Sequence, residues 1–126
     1  YKTIQKTDGI SFNPILEGEN ISDKDRALFW HYPNEWGPSG PGIGATSTVR
    51  KGDWKLIYYH NDEHFELFNI KEDIGELNNL INSNPQKAKE LATILSDYLV
   101  KVNAQMPTHK QTGIKVALPI NALKIK

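Results

Sequence analysis

Between Asn84 and Val102 apolar side chains recur at three- and four-residue intervals: Ala88, Leu91, Ala92, Leu95, Tyr98, Leu99 and Val102. On a helix these positions fall along one stripe. Asn84 is a favoured N-cap residue, and Pro85 suits the first helical position, whose N–H has no intrahelical partner. Pro107 cannot continue a helix, so the pattern predicts a long helix from Asn84 that is ended by Pro107. A helix apolar along one stripe must lay that stripe on something, and this requirement constrains the rest of the chain.

The segments before the helix read as its partner. Residues 1–25 form an extended, turn-rich lead-in punctuated by Asp8-Gly9, Asn13-Pro14 and Glu17-Gly18. Arg26 to Tyr32 alternates as a strand, with Leu28, Trp30 and Tyr32 on one face and Ala27, Phe29 and His31 on the other. Both faces are largely apolar, which predicts cover on both sides. Pro33 to Ala45 is a loop dense in Pro and Gly. Ser47 to Arg50 and Trp54 to Tyr59 then form a hairpin about Lys51-Gly52-Asp53, where glycine supplies a positive φ. Asn61-Asp62-Glu63 is a second turn and Phe65 to Ile70 a further strand. Asp73-Ile74-Gly75-Glu76 has the form of a capping box, which predicts a short helical turn through Leu77 and Leu80. The tail alternates weakly at Ile114, Val116 and Leu118, the pattern of an additional strand.

The expected fold is α+β: a small antiparallel sheet of about four strands packed against one long amphipathic C-terminal helix. It divides into a lead-in at 1–25, the packed unit at 26–107 and a tail at 108–126. One helix covers one sheet face. The other face, carrying Ala27, Phe29, Ile57, Tyr59, Phe68 and Ile70 (or the complementary set with Leu28, Trp30, Leu56 and Leu67), is left needing a partner, and the isolated chain is expected to self-associate through it or to cover it with the Gly113–Lys126 tail.

Composition narrows the function classes. With 126 residues the chain forms one modest domain, too short for a large enzyme with its own deep active site. Fifteen basic and fifteen acidic side chains cancel, and aromatic residues do not alternate with basic ones, so neither nucleic acid nor an anionic membrane surface is an expected partner. No apolar run approaches the roughly 20 residues of a bilayer span. The absence of cysteine removes disulfides, thiol catalysis and zinc–thiolate sites together. The first residues have no apolar core of a signal peptide and no initiator methionine, the pattern of a chain that begins inside a longer one.

Four segments, taken in order, resemble one family. They are Asp8-Gly9-Ile10-Ser11-Phe12-Asn13-Pro14-Ile15-Leu16 with Gly18; Leu28-Phe29-Trp30-His31-Tyr32-Pro33; Val49-Arg50-Lys51-Gly52-Asp53-Trp54-Lys55-Leu56-Ile57; and Glu66-Leu67-Phe68-Asn69-Ile70 followed by Asp73, Glu76, Asn79 and Leu80. Together they resemble the C-terminal subdomain of sulfatases of the alkaline-phosphatase superfamily, over residues 8 to about 107. The tail after Lys110 matches nothing in that pattern.

The resemblance implies a parent that hydrolyses sulfate esters of carbohydrate or aryl type, using a formylglycine nucleophile and a divalent cation, usually calcium. It also implies a periplasmic or extracellular location for that parent. The formylglycine precursor lies in a Cys/Ser-x-Pro-Ser/Ala-Arg motif. Here Ser39-Gly40-Pro41 runs into Gly42-Ile43, and Ser83-Asn84-Pro85 into Gln86-Lys87, so neither fits. No Asp/Asn constellation suits calcium, since Asp23 and Asp25 lie in the lead-in and Asn61-Asp62-Glu63 in a turn. Catalytic and metal-ligating residues are therefore expected in a separate catalytic domain, the intramolecular partner of this chain, and the chain alone is expected to be inactive.

The resemblance places His31 beside the substrate cleft, although a histidine hydrogen-bonded within a half-buried strand is the plainer expectation. Trp36 offers an aromatic face to a sugar ring, in a loop where relatives carry a sequence more like Pro-His-Tyr than Pro33-Asn34-Glu35-Trp36. Arg50 and Lys55 have the charge to attract a sulfate, but hairpin cations are more often structural or solvated. His60, His64 and His109 read as surface or turn residues. The alternatives are an independent carbohydrate-binding module and a purely structural one.

Overall fold

Four strands follow one another in space as they do in sequence, the usual arrangement for consecutive elements. The structure is a computed structural model and describes residues 9–19, 26–35 and 44–124. Its elements are α1 (Asn13–Leu16), β1 (Ala27–Tyr32), β2 (Thr46–Lys51), β3 (Trp54–Tyr59), β4 (Phe65–Asn69), α2 (Pro85–Lys101) and α3 (Pro119–Ala122). The sheet is antiparallel in the order β1-β2-β3-β4, and the α+β expectation holds. Among the described residues of the lead-in, 9–19, the single turn of α1 departs from the extended expectation and buries none of its residues.

Between β2 and β3, Gly52 takes φ 58 while Asp53 is not among the positive-φ residues, the backbone pattern of a type II′ hairpin. The resulting register sets Phe29 opposite Val49, Val49 opposite Leu56 and Leu56 opposite Leu67. These four share one face, and α2 lies on it. Ala88, Leu91, Ala92, Leu95 and Leu99 are buried there with Val49, Leu56, Tyr58 and Leu67, and the Phe29 ring stacks on that of Tyr98 at 3.8 Å.

This register corrects the expected grouping of faces. Ala27 and Phe29 belong with Leu56 and Leu67 under the helix, whereas Leu28 and Trp30 belong with Ile57 and Phe68 on the far side. Alternation fixes parity within each strand, but only the turn fixes it between strands. Cover on both faces of β1 is likewise not found. Leu28, Trp30 and Tyr32 keep 39%, 52% and 42% of their surface exposed.

The helix ends earlier than Pro107 requires. Asn103 adopts φ 51, its N–H donates to the Val100 carbonyl at 3.0 Å, and that of Ala104 donates to Leu99 at 2.9 Å. This is a Schellman closure. It leaves Val102 outside the stripe, 49% exposed. At the other end Pro85 begins the helix as expected, but the Asn84 side chain donates to Ser83 Oγ at 3.0 Å and makes no cap bond to the helix.

The capping box also forms differently. Asp73 Oδ2 accepts from the Asn78 N–H at 2.8 Å, while Glu76, at φ 53, turns away to grip Lys55 Nζ with both oxygens at 2.7 and 2.8 Å. Residues 70–83 accordingly form turns in place of a helical turn. Asn79 covers the outer edge of β4. Its Oδ1 accepts from the Leu67 N–H at 3.0 Å and its Nδ2 donates to the Phe65 carbonyl at 3.2 Å, satisfying groups that a further strand would otherwise take.

Among the described residues the tail adds no strand. It forms an arm with one isolated pairing, Thr108 with Lys115, followed by α3. Val116, Pro119 and Ala122 are buried. The Tyr58 hydroxyl donates to the Ala117 carbonyl at 3.0 Å, and the Ile120 N–H donates to Ser96 Oγ at 2.9 Å.

Truncating Leu91, Leu95 or Leu99 to Ala should cost about 2–5 kcal/mol each in urea unfolding, whereas Val102→Ala should stay within about 0.5 kcal/mol. Equal effects at all four positions would contradict this burial pattern.

Candidate functional site

The same parity that puts Trp54, Leu56 and Tyr58 under the helix carries on to His60, just past β3. On β2 it gives Ser47 alongside Val49, and on β1 His31 alongside Phe29. At this end of the sheet the apolar layer gives way to polar groups. Ser47 and His60 retain 0% and 1% of their surface, so their hydrogen-bonding groups need partners inside the protein.

They find them in a chain of side chains. His31 Nε2 lies 3.0 Å from the Gln105 carbonyl, which can only accept, so this nitrogen carries a hydrogen. In neutral His31 Nδ1 is then an acceptor, and the Ser47 hydroxyl donates to it at 2.8 Å. Ser47 Oγ in turn accepts from His60 Nε2–H at 2.8 Å. His60 Nδ1 is left buried and without a hydrogen-bond partner among the described residues. Burial, with the neighbouring His31 as a smaller cause, lowers the His60 pKa to about 4.

Beside this chain lies an open cleft of about 1000 Å³ between the strand ends and the arm, lined by Pro33, Asn34, Glu35, His60, Asn61, Glu63 and residues of the 107–116 segment. A histidine–carboxylate hydrogen bond and an ion pair tie its walls together. His109 Nε2 meets Glu63 Oε1 at 3.1 Å, and Lys110 Nζ meets Glu35 Oε2 at 3.3 Å. Asn61 also donates to Glu35, and together with Lys110 it holds that carboxyl below the usual range. Burial, helped by Glu63, pushes the Tyr58 hydroxyl well above its ordinary pKa.

Of the residues singled out from sequence, His31 sits at the head of this network, and Trp36 lies outside the described residues. Arg50 stays exposed, with Nε–H donating to the Gly52 carbonyl at 3.4 Å. Lys55 is taken up by Glu76. His64 is exposed as expected, stacked on Tyr59 and paired with Asp62. His60 corrects the surface assignment, because it is the most buried histidine of the network. Its place after Trp54, Leu56 and Tyr58 in the alternation was the available signal, and the turn-forming residues after it obscured that signal. His109 is likewise half-buried against Glu63.

Calcium and formylglycine do not fit the residues present. The chain has no cysteine, and among the described residues no group of three or more His, Asp or Glu could hold a metal ion. No described helix is long and apolar enough to cross a membrane.

A profile of the family described as "N-sulphoglucosamine sulphohydrolase, C-terminal" matches residues 2–105. A sulfatase of Formosa agariphila is 32% identical, over 92% of this chain and 22% of its own. An N-acetylglucosamine-6-O-sulfatase of Bacteroides thetaiotaomicron is 29% identical, over 82% of this chain and 19% of its own. A protein solved in complex with its substrate D-glucosamine-2-N,6-O-disulfate superposes with a TM-score of 0.62 at 27% identity, covering 81% of this chain and 21% of that one. The chain thus spans about a fifth of the length of the curated relatives it matches.

Because His60 has its pKa lowered from 6.5 to about 4, the unfolded state binds the extra proton between those values and folding excludes it. This contribution to stability is fully present above pH 6.5 and declines as pH falls toward 4, by roughly 3 kcal/mol in all. Urea unfolding across this range should show the decline, and His60→Gln should flatten it. An unchanged slope in the variant would assign the pH dependence to other groups.

Proposed function

We propose that this chain, which belongs to the N-sulphoglucosamine sulphohydrolase C-terminal family, forms one wall of the substrate cleft of a sulfatase whose chemistry is housed in a separate catalytic domain. The observation that carries this reading is the family match over 2–105, which takes in all four strands and α2. The cleft at the end of the sheet adds a surface suited to the role. It is open, lined by both polar and apolar side chains, and bordered by the residues that follow β1.

The substrate class is a sulfated carbohydrate, in keeping with the sulfated glucosamine bound by the solved relative. His31 and Trp36 are the residues of this chain proposed to act toward it. His31 already spends both ring nitrogens on Ser47 and Gln105. It therefore ties the end of β1 to β2 and to the segment after α2, fixing one border of the cleft, while Trp36 is the residue proposed to face the sugar. The nucleophile and the calcium ion belong to the catalytic domain, which packs against this chain within one protein. The location proposed for that protein is the periplasm or outside the cell, a reading supported by the family resemblance alone. Leu28, Trp30 and Tyr32 form the exposed apolar strip through which this chain meets its catalytic domain.

Two measurements test the reading. The purified chain should show no turnover of an aryl sulfate with or without calcium, and activity that survives repurification would overturn it. In the full-length enzyme, His31→Ala and Trp36→Ala should each lower kcat/KM about tenfold or more. Unchanged kinetics in both would leave this chain a structural module.

A further inference from the structure

The hydrogen-bonded chain at the end of the sheet has a property that neither its packing nor the sulfatase reading uses. We propose that His60, Ser47 and His31 form a proton relay, in which a proton taken up at the buried Nδ1 of His60, a residue that lines the cleft, ends as a second N–H on His31.

The bonding allows one path. With the unit neutral, His60 Nε2–H donates to Ser47 Oγ, whose hydroxyl donates to His31 Nδ1, at 2.8 Å each. When a proton joins the lone pair of His60 Nδ1, the hydrogen on His60 Nε2 moves to Ser47 Oγ. The original Ser47 hydrogen moves to His31 Nδ1. One proton and one positive charge have entered, and no other bond has changed. His60 is again neutral, now with its hydrogen on Nδ1, and its Nε2 accepts from the reversed Ser47 hydroxyl. The imidazole centroids are 5.7 Å apart and tilted by 50°, so Ser47 is the bridge between them.

Position decides where the charge rests. His31 is half-buried, and when protonated it donates from both nitrogens, to the Gln105 carbonyl at 3.0 Å and to Ser47. His60 is 1% exposed with a partner for only one nitrogen, so a charge held there would be buried and half-satisfied. The titratable groups around it are Tyr58, whose ring meets the His60 ring edge-on at 5.3 Å, and Glu35, Glu63, His109 and Lys110 along the cleft. Tyr58 donates its hydroxyl to Ala117, Glu63 bonds to His109, and Glu35 to Asn61 and Lys110, so none of these groups is hydrogen-bonded into the relay. The consequence at the cleft is a change of sign in hydrogen bonding. Nδ1 of His60 is an acceptor before uptake and a donor after it. The relay concerns this chain's own groups and stands whether or not the cleft borders a sulfated sugar.

Nitrogen-15 NMR of the full chain with labelled histidine, titrated from above to below the ordinary histidine range, tests it. The expected result is that His31 becomes doubly protonated while the Nδ1 resonance of His60 moves from the unprotonated to the protonated range over the same pH interval. In Ser47→Ala, His31 should still gain its charge while His60 no longer exchanges tautomers in step with it. If His60 keeps its hydrogen on Nε2 while wild-type His31 becomes charged, the relay is overturned. It is overturned equally if the swap persists in Ser47→Ala. The wild-type spectra alone support or overturn the relay, even where the variant fails to fold.

Discussion

Everything in this fold depends on which sheet face the leucine stripe of α2 covers. Leu91, Leu95 and Leu99 are buried against Val49, Leu56 and Leu67, and once that contact is made the parity of every strand is fixed. The hydrophobic effect drives it, since neither a single amphipathic helix nor a four-stranded sheet can keep its apolar side dry alone. The site follows from the same parity. Reading outward along the covered face, the apolar layer runs into Ser47 and His60, which are too enclosed to meet water and bond to one another, with half-buried His31 as the outer partner.

The remaining elements close what the helix leaves open. Asn79 satisfies the outer edge of β4 with its side-chain amide, and Glu76 reaches Lys55 across the sheet. The arm after α2 covers the far end through Val116 and Ala122 and supplies the carbonyl of Gln105 that fixes the His31 tautomer. Of the residues that carried the family resemblance, Lys55, Glu76 and Asn79 are among these closing devices, and most of the others lie in the four strands and the Gly52 hairpin. They are folding devices, and a recognisable sequence is not by itself a catalytic one.

Much of this was legible in the sequence, for identifiable reasons. The helix stripe, the Gly52 hairpin and the four strands rest on local periodicity and turn chemistry, which single segments reveal. What escaped depends on contacts between segments. The pairing of faces needed the register, the stop at Lys101 needed the left-handed Asn103, and the role of Glu76 needed Lys55, which lies 21 residues away. The arm read as a strand because Ile114, Val116 and Leu118 alternate, yet with β4 already covered by Asn79 it had no sheet edge there to join. His31 was visible as a candidate through the family resemblance, but its partners Ser47 and His60 were not. A serine and a histidine at strand ends look solvated until the fold buries them.

The account holds that one sheet face is closed by α2 and that the opposite side, at Leu28, Trp30 and Tyr32 on β1, is kept for the rest of a sulfatase. Hydrogen exchange compared between the isolated chain and the full-length enzyme tests this most directly. The account predicts that β1 amides gain protection in the full-length enzyme while those of α2 exchange equally in both. Equal exchange of β1 in the two proteins would contradict it.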